Sequence, residues 1–276
     1  MRERGGLVGA VAPWVLALAL ALAACGGGSS ALPGAAAPAA ALKPGDLALD
    51  YVAAAEYDAL LVEVDFVEGL MPSDAALARL EEVLRQRLDK DPERVQVVLD
   101  TVIPRERALP SYDVAALQAL ARSYRQHWSG RGPEPRRAAM WIVYVPGLSA
   151  RDAEGMHALG AAFGASEVAV FGEALELLTG PASREAVECA VLLHEVGHLL
   201  GLVNNGLPMV ELHEDPVHAR HDAWRGCVMY HRVDAAWLQA PPPLPAVDYC
   251  YRCRLDLFAA GGPEPGEPPP AGSLAP

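Results

Sequence analysis

Residues 188–206, ECAVLLHEVGHLLGLVNNG, carry two histidines four apart, His194 and His198, with Glu195 directly after the first. On an α-helix, residues four apart lie one above the other on the same face. Two imidazole nitrogens can then serve one metal ion, and Glu195, one step round the helix, stands where a carboxylate can take a proton from a metal-activated water. The surrounding run 186–203 is apolar on more than one face, the pattern of a buried helix rather than a surface one. Gly201 is the residue type that ends such a helix in a sharp turn. The plainer reading, two core histidines and a surface glutamate, leaves buried polar groups without partners, which is costly.

A zinc hydrolase of this kind takes a third protein ligand. In one class it is a glutamate on a later helix, for which Glu211 and Glu214 are in range. In the metzincins a glycine three residues after the second histidine turns the chain, the third ligand follows three residues on, and a methionine-containing turn underlies the site. Gly201 fits the second class, but Asn204 occupies the expected ligand position and is a weak zinc ligand. Downstream, residues 213–230 read HEDPVHARHDAWRGCVMY and offer His213, His218 and His221.

Here the chain resembles the archaemetzincins, which carry His-Glu-x-x-His-x-x-Gly-x-x-His-Cys, four residues, Cys-x-Met, a spacer and Cys-x-x-Cys. The matching positions are His194, Glu195, His198, Gly201, His221, Cys227, Met229, Cys250 and Cys253. Two departures stand out: residues 204–220 are inserted before the third histidine, and Asp222 replaces a cysteine. The resemblance covers residues 186–257 and implies a zinc peptidase. His194, His198 and His221 would hold the zinc, Glu195 would act as general base, and Met229 would pack beneath the site in the Met-turn. It also implies a second, structural zinc held by Asp222, Cys227, Cys250 and Cys253. Export to an oxidising compartment supports the rival reading, a disulfide within this cysteine set. Cys189 shares a helix face with Leu193, Val196 and Leu200 and reads as a buried, inert thiol. The remaining loop histidines read as solvated, and Glu211, Glu214 and Asp215 as an acidic patch or a calcium site. Tyr230 reads either as an oxyanion donor or as a buried aromatic with a backbone partner.

The ends of the chain say where the protein works. Arg2 and Arg4 precede an apolar stretch, 8–24, and Leu22-Ala23-Ala24-Cys25 resembles a bacterial lipobox. Residues 1–25 therefore read as a lipoprotein signal, with lipid on Cys25 and export to the outer side of a bacterial membrane. Residues 26–45 are a Gly/Ala/Pro/Ser tether, and residues 259–276 a Pro/Gly-rich tail too polar for a core. This leaves 46–258 as one catalytic domain, long enough for a single buried core. The net charge of −13 and pI near 5.0, without a basic stripe, exclude nucleic acid as the expected partner.

Between the ends, strands are expected at 57–67, 94–103, 138–145 and 167–171. Helices are expected at 73–88 and 111–128, each opened by a serine, and another from Arg184. Alternating strands and helices imply an α/β (α+β) domain: a twisted mixed sheet packed with helices, parallel pairing and right-handed crossovers. The metzincin resemblance adds a short antiparallel edge strand lining the cleft, for which 167–171 is the candidate. The combined expectation is a lipid-anchored, zinc-dependent peptidase acting on peptide or protein substrates. The alternatives are a catalytically weak metal-binding surface lipoprotein and a hydrolase using Glu211 or Glu214 as ligand.

Overall fold

The structure, a computed structural model, describes residues 41–131, 133, 136–150, 152, 157–178, 184–232 and 244–268. The signal, Cys25 and most of the tether lie outside the described residues, as does the tail beyond 268. Among the described residues no helix is long and apolar enough to cross a membrane.

The first long strand, β1 (Ala59–Val67), is buried at every position. A strand buried on both faces belongs in the middle of a sheet covered on both sides. It pairs in parallel with β2 (Val95–Ile103) and with β4 (Arg137–Val145). β2 alternates between exposed and shielded residues, as an edge strand with one covered face should. β7 (Glu167–Phe171) adds in parallel to β4, and β6 (Gly160–Phe163) closes the sheet as its one antiparallel strand. The order is β2-β1-β4-β7-β6, a mostly parallel twisted sheet. Two-residue strands β3 (Ser111–Tyr112) and β5 (Leu148–Ser149) pair with each other apart from it.

Short helix α1 (Ala48–Val52) precedes the sheet. Helix α2 (Asp74–Arg87) is capped by Ser73, whose side chain accepts from the Ala76 amide. Helix α3 (Val114–Tyr124) is opened by Asp113 rather than Ser111, because Ser111 is drawn into β3 and the Asp113 carboxylate takes the Ala116 amide. Short helix α4 (Gly172–Leu178) leads toward α5 (Arg184–Leu199), the helix of the two histidines. α5 packs on α2 and on strands β6 and β7. Its buried Glu188 accepts from the Ser73 amide and the Tyr144 hydroxyl, both at 2.9 Å, tying α5 to the start of α2 and to β4.

At the far end of β4 and β7 the buried Arg125 guanidinium holds the sheet together. It donates to Glu167 Oε1 and Ser166 Oγ at 2.7 Å and to the Ala139 carbonyl at 3.1 Å, and it lies over the Trp128 ring. An uncompensated charge there would be expensive, so its partners are satisfied on every side.

One expectation is corrected. Residues 167–171 form an inner strand, and the antiparallel edge is 160–163. Strand β7 has the apolar side chains to sit between β4 and β6. The small residues of GAAF suit an edge crowded by α5.

Candidate functional site: three imidazoles and a buried glutamate

Helix α5 ends at Leu199, one residue past His198. The Leu202 amide bonds the Gly197 carbonyl at 3.0 Å and the Gly201 amide bonds the His198 carbonyl at 3.2 Å, the paired closure of a Schellman turn. Gly201 has φ +76°, which a side chain disfavours, and a Cβ there would strike Ala48 and Leu207. The chain then leaves the helix, loops through residues 203–220 and returns His221 to the two helical histidines.

The return is close. His221 lies 5.2 Å from His194 and 5.1 Å from His198 between ring centroids, and His194 and His198 are 4.8 Å apart. One nitrogen of each ring falls within a common 4.8 Å. Tautomers follow from the outer contacts. His194 Nδ1 donates to the Val228 carbonyl at 2.7 Å, and His221 Nδ1 to the Ala219 carbonyl at 3.0 Å, so Nε2 of each keeps its lone pair. His194 Nε2 and His198 Nε2 approach to 3.2 Å. Ligand bonds of about 2.0 Å to a tetrahedral ion place neighbouring donors about 3.3 Å apart, so the pair fits one shared metal ion. Burial holds all three rings neutral, as ligation requires: His194 is pushed down, His198 well down, and His221 to about 4, helped by the neighbouring imidazoles.

Glu195 points from α5 to the edge strand. Its Oε2 accepts from the Ala162 amide at 2.8 Å, and burial pushes its carboxyl up to about 7 against the opposing effect of that hydrogen bond. Gly160 makes the approach feasible, since a Cβ there would sit 2.7 Å from Glu195 Cγ. The three histidines, Glu195 and strand β6 line one cleft of ≈ 520 Å³, with Tyr230 and Arg220 at its wall. Met229 is fully buried under the helix, its sulfur against Gly197. The Tyr249 hydroxyl donates to the Leu193 carbonyl on the same buried side.

The other proposed third ligands lie elsewhere. Asn204 donates to Glu214, Glu214 also accepts from the Arg220 amide, and Glu211 pairs with Arg252. None belongs to the histidine cluster.

A second group of donors lies behind the first. Cys250 caps helix α6 (Tyr251–Ala259) and Cys253 lies one turn in, so their i, i+3 spacing turns both thiols to one side. His213, Asp222, Cys250 and Cys253 offer ligand atoms all within 4.8 Å of one another, buried and compatible with a metal ion. Asp222 Oδ2 accepts from Cys250 Sγ at 3.3 Å and from Cys253 Sγ at 3.8 Å, and Cys227 Sγ lies 3.6 Å from Cys253 Sγ. The alternative of a disulfide is not realised: Cys189, Cys227, Cys250 and Cys253 are free thiols. Cys189 is buried, and burial pushes its thiol up to about 12, consistent with an inert core residue.

His213 was read from sequence as a solvated loop residue, and this is corrected. It is buried between two carboxylates, Nδ1 2.7 Å from Asp222 and Nε2 2.9 Å from Asp256. Burial alone would lower its pKa, but these hydrogen bonds outweigh it and raise the imidazole to about 11. The only sequence hint was Asp256, an acid placed among the apolar residues of α6.

Comparison with protein-family models and with curated proteins finds no match for the chain.

Proposed function

We propose that the protein is a zinc-dependent peptidase of metzincin type, resembling the archaemetzincins and anchored outside the cytoplasm by lipid on Cys25. The observation that carries this reading is Glu195. A buried carboxylate stands in the same cleft as three convergent imidazoles, between them and an open strand edge. His194, His198 and His221 would hold the ion. Bound there, zinc supplies Lewis acidity toward a carbonyl oxygen and lowers the pKa of water toward neutrality.

The remaining work falls to this chain's own groups. Glu195 is fixed through Oε2 on the Ala162 amide, which leaves Oε1 to take the proton of the attacking water and return it to the leaving amine. Its raised pKa keeps the carboxyl near the balance between taking and giving a proton. Strand β6 presents the outer edge of the sheet beside Glu195, and an extended peptide can add to such an edge through backbone hydrogen bonds whatever its sequence. His194 is held in its ligating tautomer by the Val228 carbonyl, one residue before Met229, which gives the Met-turn a positioning role.

For the second group, Asp222, Cys250 and Cys253 with Cys227, or with His213 in its place, would be the ligands of a structural zinc; the donors within a common 4.8 Å are His213, Asp222, Cys250 and Cys253. Thiolates bound at about 2.3 Å stand about 3.7 Å apart around a tetrahedral ion, and Cys227 and Cys253 are 3.6 Å apart. The 2.7 Å His213–Asp222 contact is shorter than a ligand-to-ligand spacing and reads as a hydrogen bond that orients Asp222.

The test is zinc content together with peptide cleavage for the wild type and Glu195→Gln. The variant should keep its zinc, because the histidines remain, and lose activity by about a thousandfold or more. Turnover retained by Glu195→Gln would remove Glu195 as the base, and a zinc-loaded wild type inert on every peptide tried would leave a metal-binding lipoprotein instead. Labelled fatty acid should enter the wild type and not Cys25→Ser.

A further inference from the structure

The lining of the cleft divides by stretch of chain. Residues 157–162 contribute mostly small side chains, and their one ionisable group, His157, sits 3.3 Å from Asp152. Residues 219–232 contribute Arg220, Arg225 and Arg232. Among the described residues Glu195 is the only acid in the lining, and it is buried on the Ala162 amide. The chain as a whole runs the other way, with 35 Asp and Glu against 22 Lys and Arg. Arginines gathered on one wall of a cleft in an acidic protein focus positive potential where a substrate enters.

Arg220 is held there against its backbone preference. Its φ is +68°, a left-handed conformation that side chains disfavour. Bonds on both sides maintain it: Glu214 Oε1 accepts from the Arg220 amide at 2.7 Å, and the carbonyl of the next residue, His221, accepts from the Asp215 amide at 2.7 Å. Strained backbone of this kind gathers at sites where the side chain it delivers has a use. The delivered charge reaches the histidine cluster, since it is one of those that oppose protonation of His198. Acids on the same loop are engaged elsewhere. Glu214 also takes the Asn204 side chain, Asp215 accepts from the Val217 and His218 amides and faces the His218 ring, and Glu211 pairs with Arg252. Among the described residues neither the Arg220 nor the Arg232 guanidinium has an ion-pair partner.

We propose that this wall makes the cleft selective for peptides that bring a carboxylate beside the three histidines, with Arg220 and Arg232 as the residues that receive it. This selectivity rests on the peptidase reading and adds the charge of the substrate to it. A dication on neutral imidazoles repels guanidinium groups nearby, and a substrate carboxylate offsets that repulsion. A guanidinium also matches a carboxylate in shape, donating two parallel hydrogen bonds to it. Backbone addition to β6 is indifferent to sequence, so discrimination falls to the arginine wall. An acidic side chain and a free C-terminus deliver the same group. At an exposed wall each pair contributes only a fewfold in affinity, and two arginines on one carboxylate give about tenfold.

The experiment measures binding without turnover. Zinc-loaded full-length Glu195→Gln protein is titrated by fluorescence anisotropy with labelled, C-terminally amidated Ala/Gly peptides in which one Glu, Gln or Lys is moved through successive positions. The all-neutral peptide with a free C-terminus is the second arm. The best glutamate peptide should bind about tenfold tighter than its glutamine counterpart, and the advantage should shrink as salt is raised. If the free-carboxyl peptide holds the advantage instead, the chain end is the source of the carboxylate. Arg220→Asn with Arg232→Gln should cut the advantage below about threefold; asparagine tolerates the left-handed backbone. Arg220→Glu should turn the preference toward lysine, which loss of packing alone would not do. Equal binding of charged and neutral peptides in both arms, or a carboxylate advantage that survives the arginine substitutions and so belongs to the zinc, would overturn the proposal. A wild type that cleaves without charge preference refutes the selectivity and leaves the peptidase. A carboxylate preference in binding with no cleavage by the wild type refutes the peptidase and leaves the arginine wall.

Discussion

Replacing Gly197 by alanine probes the join between the helix and the methionine beneath it. Gly197 has an ordinary helical backbone, so alanine fits its conformation and should stabilise the helix by about 1 kcal/mol through propensity alone. The side chain has nowhere to go. A Cβ there would lie 2.3 Å from Met229 Sδ and 3.2 Å from both Met229 Cε and Tyr249 Cε1, where ordinary contact begins at 3.4 Å. Met229 must therefore retreat by more than an ångström, and it is fully buried, with Tyr249 closing one side. Overpacking of this kind costs about 1–3 kcal/mol, so the net effect is a loss of about 1 kcal/mol, or roughly 2–4 °C in Tm for a domain of this size. The displacement also pulls on Val228, whose carbonyl fixes the His194 tautomer, so zinc affinity should fall about tenfold, as for other residues that orient a ligand. Thermal unfolding and a competitive zinc titration read the two effects. The sharper check is a double-mutant cycle: in a Met229→Ala background the clash is gone, and Gly197→Ala should become neutral or stabilising by up to about 1 kcal/mol. If Gly197→Ala costs the same with and without Met229, the methionine is not wedged against the helix and the reasoning is wrong.

Other outcomes follow from the same geometry. His221→Ala should lower zinc retention and peptide cleavage together, while Asn204→Ala, whose side chain faces Glu214, should change neither; dialysis followed by metal analysis checks this. Cys250→Ser should remove one ion per chain and lower Tm while the ion at His194, His198 and His221 stays, read by metal stoichiometry and denaturant unfolding. Asp65 carries a pH signature, because burial raises its carboxyl to about 6 from 3.8 even though Trp141 and Thr101 donate to it. A carboxyl raised on folding binds its proton more tightly in the native state, so its contribution is fully present below about pH 4 and lost as pH rises through about 6. Unfolding curves of the wild type should therefore fall relative to Asp65→Asn between pH 4 and pH 7, and a rise over that window would refute the assignment.

Much of the sheet was legible because its strands announce themselves locally. Residues 59–67 and 137–145 are largely apolar stretches of strand length, and Ser73 caps α2 as its sequence indicates. Strand β6 was not legible, since Gly-Ala-Ala-Phe has neither alternation nor bulk, and its extended form depends on pairing with β7. The start of α3 failed for a related reason: Ser111 and Asp113 are both capping residues, and only the pairing of β3 with β5 decides between them. The metal donors divide along the same line. His194 with His198, and Cys250 with Cys253, are pairs set by helical spacing and can be read from the chain alone. His221 is placed by a loop whose path no local rule dictates, and it was found through resemblance. His213, Asp215, His218 and His231 had no such guide. His213 is buried by Asp256, 43 positions away, and His231 meets Asp215 only because the Met229 segment folds back beside the loop. A histidine in a loop therefore has no fixed meaning until its partners are placed, and in this chain the partner is a carboxylate each time a loop histidine other than His221 finds one. Carboxylates hold such imidazoles whether or not an ion is present.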